Sequence, residues 1–160
     1  MEKEYSFNGQ RAREGVVAVI KNHPYVLFLP GLKAIVLWLL AAALIFSWSN
    51  EYSGLFAFIL FVVGLSFLGR SYFVYSQSTL LITNQRVINI GQTGFWVRRI
   101  TETELANIQD VSSHTSGVFR TMLKFGDLII RTSGAAQGSE IIVKNIPNPY
   151  EVQQVIAGIK

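Results

Sequence analysis

The side chains best suited to moving protons near neutral pH are the two histidines, His23 and His114. His114 closes the run Asp110-Val111-Ser112-Ser113-His114, which gathers a carboxylate, hydroxyls and an imidazole, the ingredients of a Ser-His-Asp relay. The run reads as a β-strand, and successive strand side chains point to opposite faces. His114 then shares a face with Ser112 and Asp110 but not with Ser113, and strand neighbours do not converge as a relay requires. A solvated polar face is the better account. His23 stands directly before Pro24, close to a long apolar stretch. The absence of cysteine excludes disulfides, thiolate metal sites and a cysteine nucleophile for this sequence. The carboxylates are scattered, so they offer no metal site. No Walker A or G-x-G-x-x-G run follows a strand, and Gly134 and Gly138 flank a hairpin loop, where turns account for them. The expectation is a protein without catalytic residues, metal or cofactor.

Binding is the chemistry that the sequence supports better. Phe95-Trp96 follows the turn Gly91-Gln92-Thr93-Gly94 at the tip of a hairpin, where the rings could enter a membrane interface. The competing role, for one of the rings, is the domain core. Arg98-Arg99 next door, with Arg120 and Lys124, suits anionic headgroups or an acidic partner. Residues 117–126 read as a short amphipathic turn of helix. Its apolar side chains, Val118, Phe119, Met122 and Leu123, are expected to cover the core, with a groove for a partner as the alternative. The net charge of +4 is spread thinly, with no Lys/Arg run and no basic helix, which argues against a nucleic-acid partner.

The elements that must position these residues begin with two apolar spans. Between residues 34 and 69 the only charged residue is Glu51. The first span covers residues 32–49. The second covers residues 53–68, and its apolar character continues to residue 75. Each is near the ~20 residues that cross a bilayer core as a helix, and neither shows a polar stripe. The link Trp48-Ser49-Asn50-Glu51-Tyr52-Ser53 is short, so the helices are antiparallel neighbours. Trp48 and Tyr52 flank Glu51 as at an interface. The link has no Lys or Arg, whereas Lys21 and Lys33 precede the spans and Arg70 and Arg86 follow them. The positive-inside rule then places both termini in the cytoplasm. Ala42, Gly64 and Ser66 are candidate helix-packing residues, since small side chains permit close approach. No ionisable group sits deep in either span, which argues against an ion path. Ahead of the spans, Val16, Val17, Val19 and Ile20 form either one face of a short interfacial helix or an irregular lead broken at Pro24 and again at Pro30-Gly31.

From residue 72 the texture becomes β-like. Strands are expected over residues 79–83, 86–90, 95–101, 108–114, 127–132 and 140–146. Asn84-Gln85 is a tight turn, Glu102 and Glu104 lie in an acidic connection, and residues 133–139 form a loop. Val152, Val155, Ile156 and Ile159 then make the apolar stripe of a helix, with Asn148 as its N-cap and Pro149 at its first position. The pattern predicts an α+β chain: lead (1–31), membrane hairpin (32–70), and a small bent sheet or open barrel plugged by the last helix (71–160).

Residues 72–160 carry the motifs Leu81-Ile82-Thr83-Asn84-Gln85-Arg86-Val87-Ile88, Gly94, Ile108-Gln109-Asp110-Val111, Gly117-Val118-Phe119-Arg120, Phe125-Gly126-Asp127-Leu128 and Ile146-Pro147-Asn148-Pro149. In that order, behind a two-helix hairpin, they resemble the bacterial pleckstrin-homology-like domain of the membrane-flanked type. The resemblance implies a seven-stranded, two-sheet PH-like barrel capped by the last helix, in a multi-pass protein of the bacterial cytoplasmic (inner) membrane, and no enzymatic activity. Eukaryotic PH domains often bind phosphoinositides through a basic first hairpin. Read as that hairpin, Thr83-Asn84-Gln85-Arg86 holds a single basic residue and departs from the pattern. The expected function is a non-enzymatic, membrane-anchored adaptor presenting its domain to protein partners or anionic headgroups. The alternative is an accessory structural subunit of a larger membrane complex, docked through the hairpin. Membrane lipids and other membrane or cytoplasmic proteins are the expected partners, with homo- or hetero-oligomers open.

Overall fold

Val16, Val17, Val19 and Ile20 are β-branched, which restricts them in a helix and suits a pleated sheet. In the computed structural model, which describes residues 9–47, 52–133 and 140–159, they form strand β1, Val16–Lys21. This corrects both the interfacial-helix and the irregular-lead expectations. Strand β1 pairs antiparallel with β2, Thr79–Thr83, so that Ala18 stands opposite Ile82 and Lys21 opposite Thr79. Ala18 and Ile20 pack against the domain core, burying there what an interfacial helix would have given to lipid.

Both long helices are inserted between these two paired strands. A single 3-10 turn, Pro24–Leu27, leads into α1, Phe28–Ser47. Pro30 does not break the chain as expected, because it falls in the first turn of α1, where its missing N–H has no helical partner to lose. Helix α2, Ser53–Gln77, packs along α1 and runs past Arg70 to the start of β2. Both are long and apolar enough to cross a membrane. Trp48 and Glu51 of the link lie outside the described residues, as do residues 134–139 of the Gly/Ser/Ala-rich loop.

The described strands form two antiparallel sheets, ordered β1-β2-β3-β4 and β5-β6-β7. Strands β3, Arg86–Gln92, and β4, Arg98–Glu104, pair as the hairpin at the far edge of the first sheet. Strand β4 starts at Arg98 instead of 95 and absorbs Glu102 and Glu104, which leaves Phe95, Trp96 and Val97 in the hairpin tip. The second sheet comprises β5, Ile108–His114, β6, Phe125–Thr132, and β7, Glu140–Pro147. One core joins the sheets, with Leu80, Ile82 and Val87 from the first and Leu128, Ile130 and Ile146 from the second.

Helix α4, Pro149–Ile159, closes the core against β5 and β6. Val152 and Ile156 are buried and Ile159 packs beside them, but Val155 is exposed, so the buried stripe is narrower than expected. Asn148 begins the helix, but its side chain bonds another side chain where that of an ordinary N-cap accepts a backbone N–H. Its carbonyl accepts the N–H groups of Glu151 (3.0 Å) and Val152, and its side-chain amide donates to Glu151 Oε2 (3.2 Å).

Candidate functional site

Strand β1 ends and β2 begins side by side, so the chain must leave and re-enter the sheet at one place. His23 fixes the exit. Its N–H donates to the Asn145 carbonyl (2.6 Å), its Nδ1 accepts the Tyr25 N–H (3.2 Å), and its ring stacks on Phe125 at 4.8 Å. Tyr25 also packs on Phe125 at 4.8 Å and stacks on Phe28, the first residue of α1, at 5.4 Å. An aromatic column therefore joins the second sheet to the foot of α1. On the other flank, Arg70 of α2 donates to the Thr93 carbonyl (3.2 Å) and Phe73 packs on Phe95 at 5.2 Å. The β3–β4 tip is thus braced against the foot of α2.

The six residues expected to bind partner or lipid divide between these two flanks. Phe95 packs on α2 and not in the domain core, and Trp96 beside it is 96% exposed, so neither ring serves the core. Arg98 and Arg99 are exposed next to them. Arg120 and Lys124 lie on the α1 flank. Arg120 pairs with Asp127 (3.0 Å) and sits over the Phe125 ring (5.7 Å), while the other Asp127 oxygen accepts the Asn145 N–H (2.9 Å). Lys124 adopts a left-handed backbone (φ 53°), offers its carbonyl to the Asn148 N–H (2.8 Å), and leaves its side chain exposed. His114 is opposite Asp127 in the β5–β6 ladder and exposed, with the Asp127 carboxylate already engaged by Arg120 and Asn145.

Between His114 and Phe125 lies α3, Val118–Met122. The expectation that its apolar side chains cover the core is overturned. Val118, Phe119 and Met122 are 73%, 68% and 74% exposed, Leu123 is also exposed, and the partly buried side chain is the charged one, Arg120. The reason is that the Arg120–Asp127 pair and the Phe125 ring claim the inner face.

The end of the domain away from the helices holds a buried ion pair that the sequence reading missed. Arg86 Nε and Nη2 donate to Glu14 Oε1 (2.8 Å) and Oε2 (3.0 Å), and Nη1 donates to Glu102. The Arg11 N–H also donates to Glu14 (2.7 Å), and the Thr83 hydroxyl lies 2.9 Å from it. The Arg86 bonds, helped by the Arg11 N–H and Thr83, outweigh burial and lower the Glu14 pKa from 4.5 to about 2. Glu14 in turn raises the Arg86 pKa. Asn84 accepts the Gly15 N–H (3.0 Å) and donates to the Arg13 carbonyl (3.1 Å), and Gln85 donates to the Ala12 carbonyl (3.2 Å). The Asn84-Gln85-Arg86 motif therefore clasps the segment that leads into β1. Nearby, Arg11, Arg86, Glu102, Glu104 and Ser133 line an open polar cleft of about 480 Å³. The signal in the sequence was Arg86 itself, because a cation at the first position of a buried strand needs an acid to meet it.

Of the expected helix-packing residues, Gly64 alone lies in the seam. Trp38 covers it, and its indole N–H reaches the Phe61 carbonyl (3.3 Å). Ala42 and Ser66 face outward. The buried small residues are Ala34 and Ala41 on α1 and Ala57 and Gly64 on α2, each pair seven residues apart, or about two helical turns.

The family model described as Bacterial PH domain matches residues 24–160, beginning just after β1. Among solved structures, the chain is similar to a DUF1696 family protein with a pleckstrin-homology domain from Shewanella loihica PV-4. The likeness covers 53% of this chain and 72% of that one, at 19% identity and a TM-score of 0.41. No curated protein matches the chain.

Proposed function

The chain belongs to the bacterial PH domain family, and from that premise we propose that it is a non-enzymatic, membrane-anchored adaptor. In this reading α1 and α2 cross the cytoplasmic membrane as a hairpin with both termini inside. The observation that carries it is the insertion of the two apolar helices between strands paired in one sheet. A tether attached at a single point would let the domain swing. Two attachments at adjacent strands, reinforced by the Tyr25–Phe125 and Arg70–Thr93 contacts, hold it in one orientation. One end then faces the membrane, and the polar cleft at the other faces the cytoplasm, where a protein partner with matched charges can reach Arg11, Glu102 and Glu104. The topological finding also bears on lipid binding. Thr83–Arg86 is the second hairpin, and its arginine is buried in an ion pair. The connection between the first two strands is the helical hairpin itself.

A second reading, an accessory subunit of a larger membrane complex, is favoured by Ala42 and Ser66. These small side chains lie on the outer surface of the hairpin, where another helix could approach closely. The test is purification in mild detergent from native membranes, with mass spectrometry of what co-purifies. Recovery with sub-stoichiometric soluble proteins that are lost on a Glu102→Lys, Glu104→Lys change supports the adaptor. A stoichiometric membrane complex lost on Ala42→Leu and indifferent to the acidic pair would replace it with the subunit. Extraction of the protein by alkaline carbonate would refute both.

A further inference from the structure

We infer that the exposed apolar face of α3 and the Trp96 tip are two feet that the domain sets into the headgroup layer of an anionic bilayer, one on each side of the helical hairpin. The inference rests on the reading of α1 and α2 as membrane spans and adds a second, peripheral attachment to it.

The argument is one of level. An α-helix rises about 1.5 Å per residue and a bilayer core is about 30 Å thick. Helix α1 has 20 residues and matches that thickness, which sets Phe28 at the edge of the hydrocarbon. Helix α2 has 25 residues, about 37 Å, so its last turn and a half, from Phe73 onward, falls in the headgroup layer. The Trp96 tip is braced against Phe73 and Arg70, and α3 adjoins Phe125, which packs on Tyr25 just ahead of Phe28. Both patches therefore sit at the level where the spans leave the hydrocarbon.

Composition agrees with that level. A short helix that turns its charge inward and Val118, Phe119 and Met122 outward is inverted for water. It suits an interface, where tryptophan and other amphipathic rings also concentrate. Basic side chains surround the feet: Arg70, Arg98, Arg99 and Lys124 are exposed at this end. Of the acids at this end, Asp127 is neutralised by Arg120, and Glu151 stands exposed beside Asn148 and near Lys21. Glu14, Glu102 and Glu104 cluster at the opposite end. This polarity complements an anionic leaflet.

The absence of cysteine allows single labels. Full-length protein with a fluorophore on Met122→Cys, Trp96→Cys, Leu39→Cys or Ala106→Cys is reconstituted into phosphatidylcholine vesicles with or without phosphatidylglycerol. Each label is titrated with a lipid-borne nitroxide quencher and with iodide. Met122→Cys and Trp96→Cys should be quenched by shallow nitroxide and shielded from iodide, more so with phosphatidylglycerol. Leu39→Cys should report the deep nitroxide, and Ala106→Cys, in the 3-10 turn between β4 and β5, iodide alone. If Leu39→Cys is lipid-quenched while Met122→Cys and Trp96→Cys behave like Ala106→Cys, the feet are refuted and the spans stand. If Leu39→Cys itself is not lipid-quenched, the anchoring beneath the inference is wrong. Shielding of Met122→Cys in native membranes but not in vesicles would assign the patch to a protein partner and overturn the lipid assignment.

Discussion

The Glu14–Arg86 pair shows what single residues decide here. Both side chains are buried, and each has the other as its main compensation for leaving water. Glu14→Gln keeps the shape but leaves Arg86 with half of its charge pairing. It should destabilise the domain by roughly 3 kcal/mol, measured as a lowered urea midpoint in detergent. The pH dependence has a definite sign. The Glu14 pKa is lowered in the folded protein to about 2 from an ordinary 4.5, so the folded state prefers the carboxylate. Its stabilisation is complete above about pH 4.5 and is lost as pH falls toward about 2. Acid titration of the native protein should show this limb, and Glu14→Gln should flatten it. An unchanged limb in the variant would assign the acid sensitivity to other groups. This pair was legible only by half: Arg86 stands in a recognisable motif, whereas Glu14 is separated from it by the whole helical hairpin.

At the level of elements, two glycines mark where close packing, not backbone freedom, selects the residue. A Cβ on Gly64 would lie 2.6 Å from Trp38 Nε1, while one on Gly69 meets nothing within 4 Å. Gly64→Ala should therefore lower the melting temperature in detergent, by an overpacking cost of about 1–3 kcal/mol. Gly69→Ala should leave it unchanged or raise it, since alanine is the better helix former. Equal effects would mean that the seam is not at Gly64. In the domain, a Cβ on Gly126 would lie 2.6 Å from the His114 carbonyl. That neighbour is backbone and cannot swing away, so Gly126→Ala should cost more than Gly64→Ala. The strand pattern was readable because alternation and turn residues are local. Helix α3 was misread because Val118, Phe119, Met122 and Leu123 have a core-like composition. Which way they face is fixed by Arg120, Asp127 and Phe125, two of which lie beyond the helix.

At the scale of the whole molecule, the domain is not the contiguous piece that follows the two long helices. Strand β1 supplies a sheet edge, two side chains against the core, and the segment clasped by Asn84, Gln85 and Arg86. A fragment of residues 71–160 alone should therefore fail to give a dispersed amide spectrum. A chain in which a short Gly-rich turn joins Asn22 directly to Ser78 should fold, because Lys21 and Thr79 are already strand partners and a tight hairpin loop spans that gap. Folding of the fragment without β1 would show that the first strand is dispensable.

The sequence by itself determined what depends on neighbours along the chain. The two apolar helices, the six strands that follow them, the Asn84-Gln85 turn and the capping helix each declare themselves through a period or a turn residue within a short window. Only the tertiary structure decided what depends on partners far apart in sequence. It placed β1 in a sheet across the inserted helices, joined Glu14 to Arg86, split the six candidate binding residues between two flanks, and turned α3 outward. The physical reason is that periodicity states that a face is apolar but not what will cover it. That is settled by which distant surfaces the fold brings to the same place.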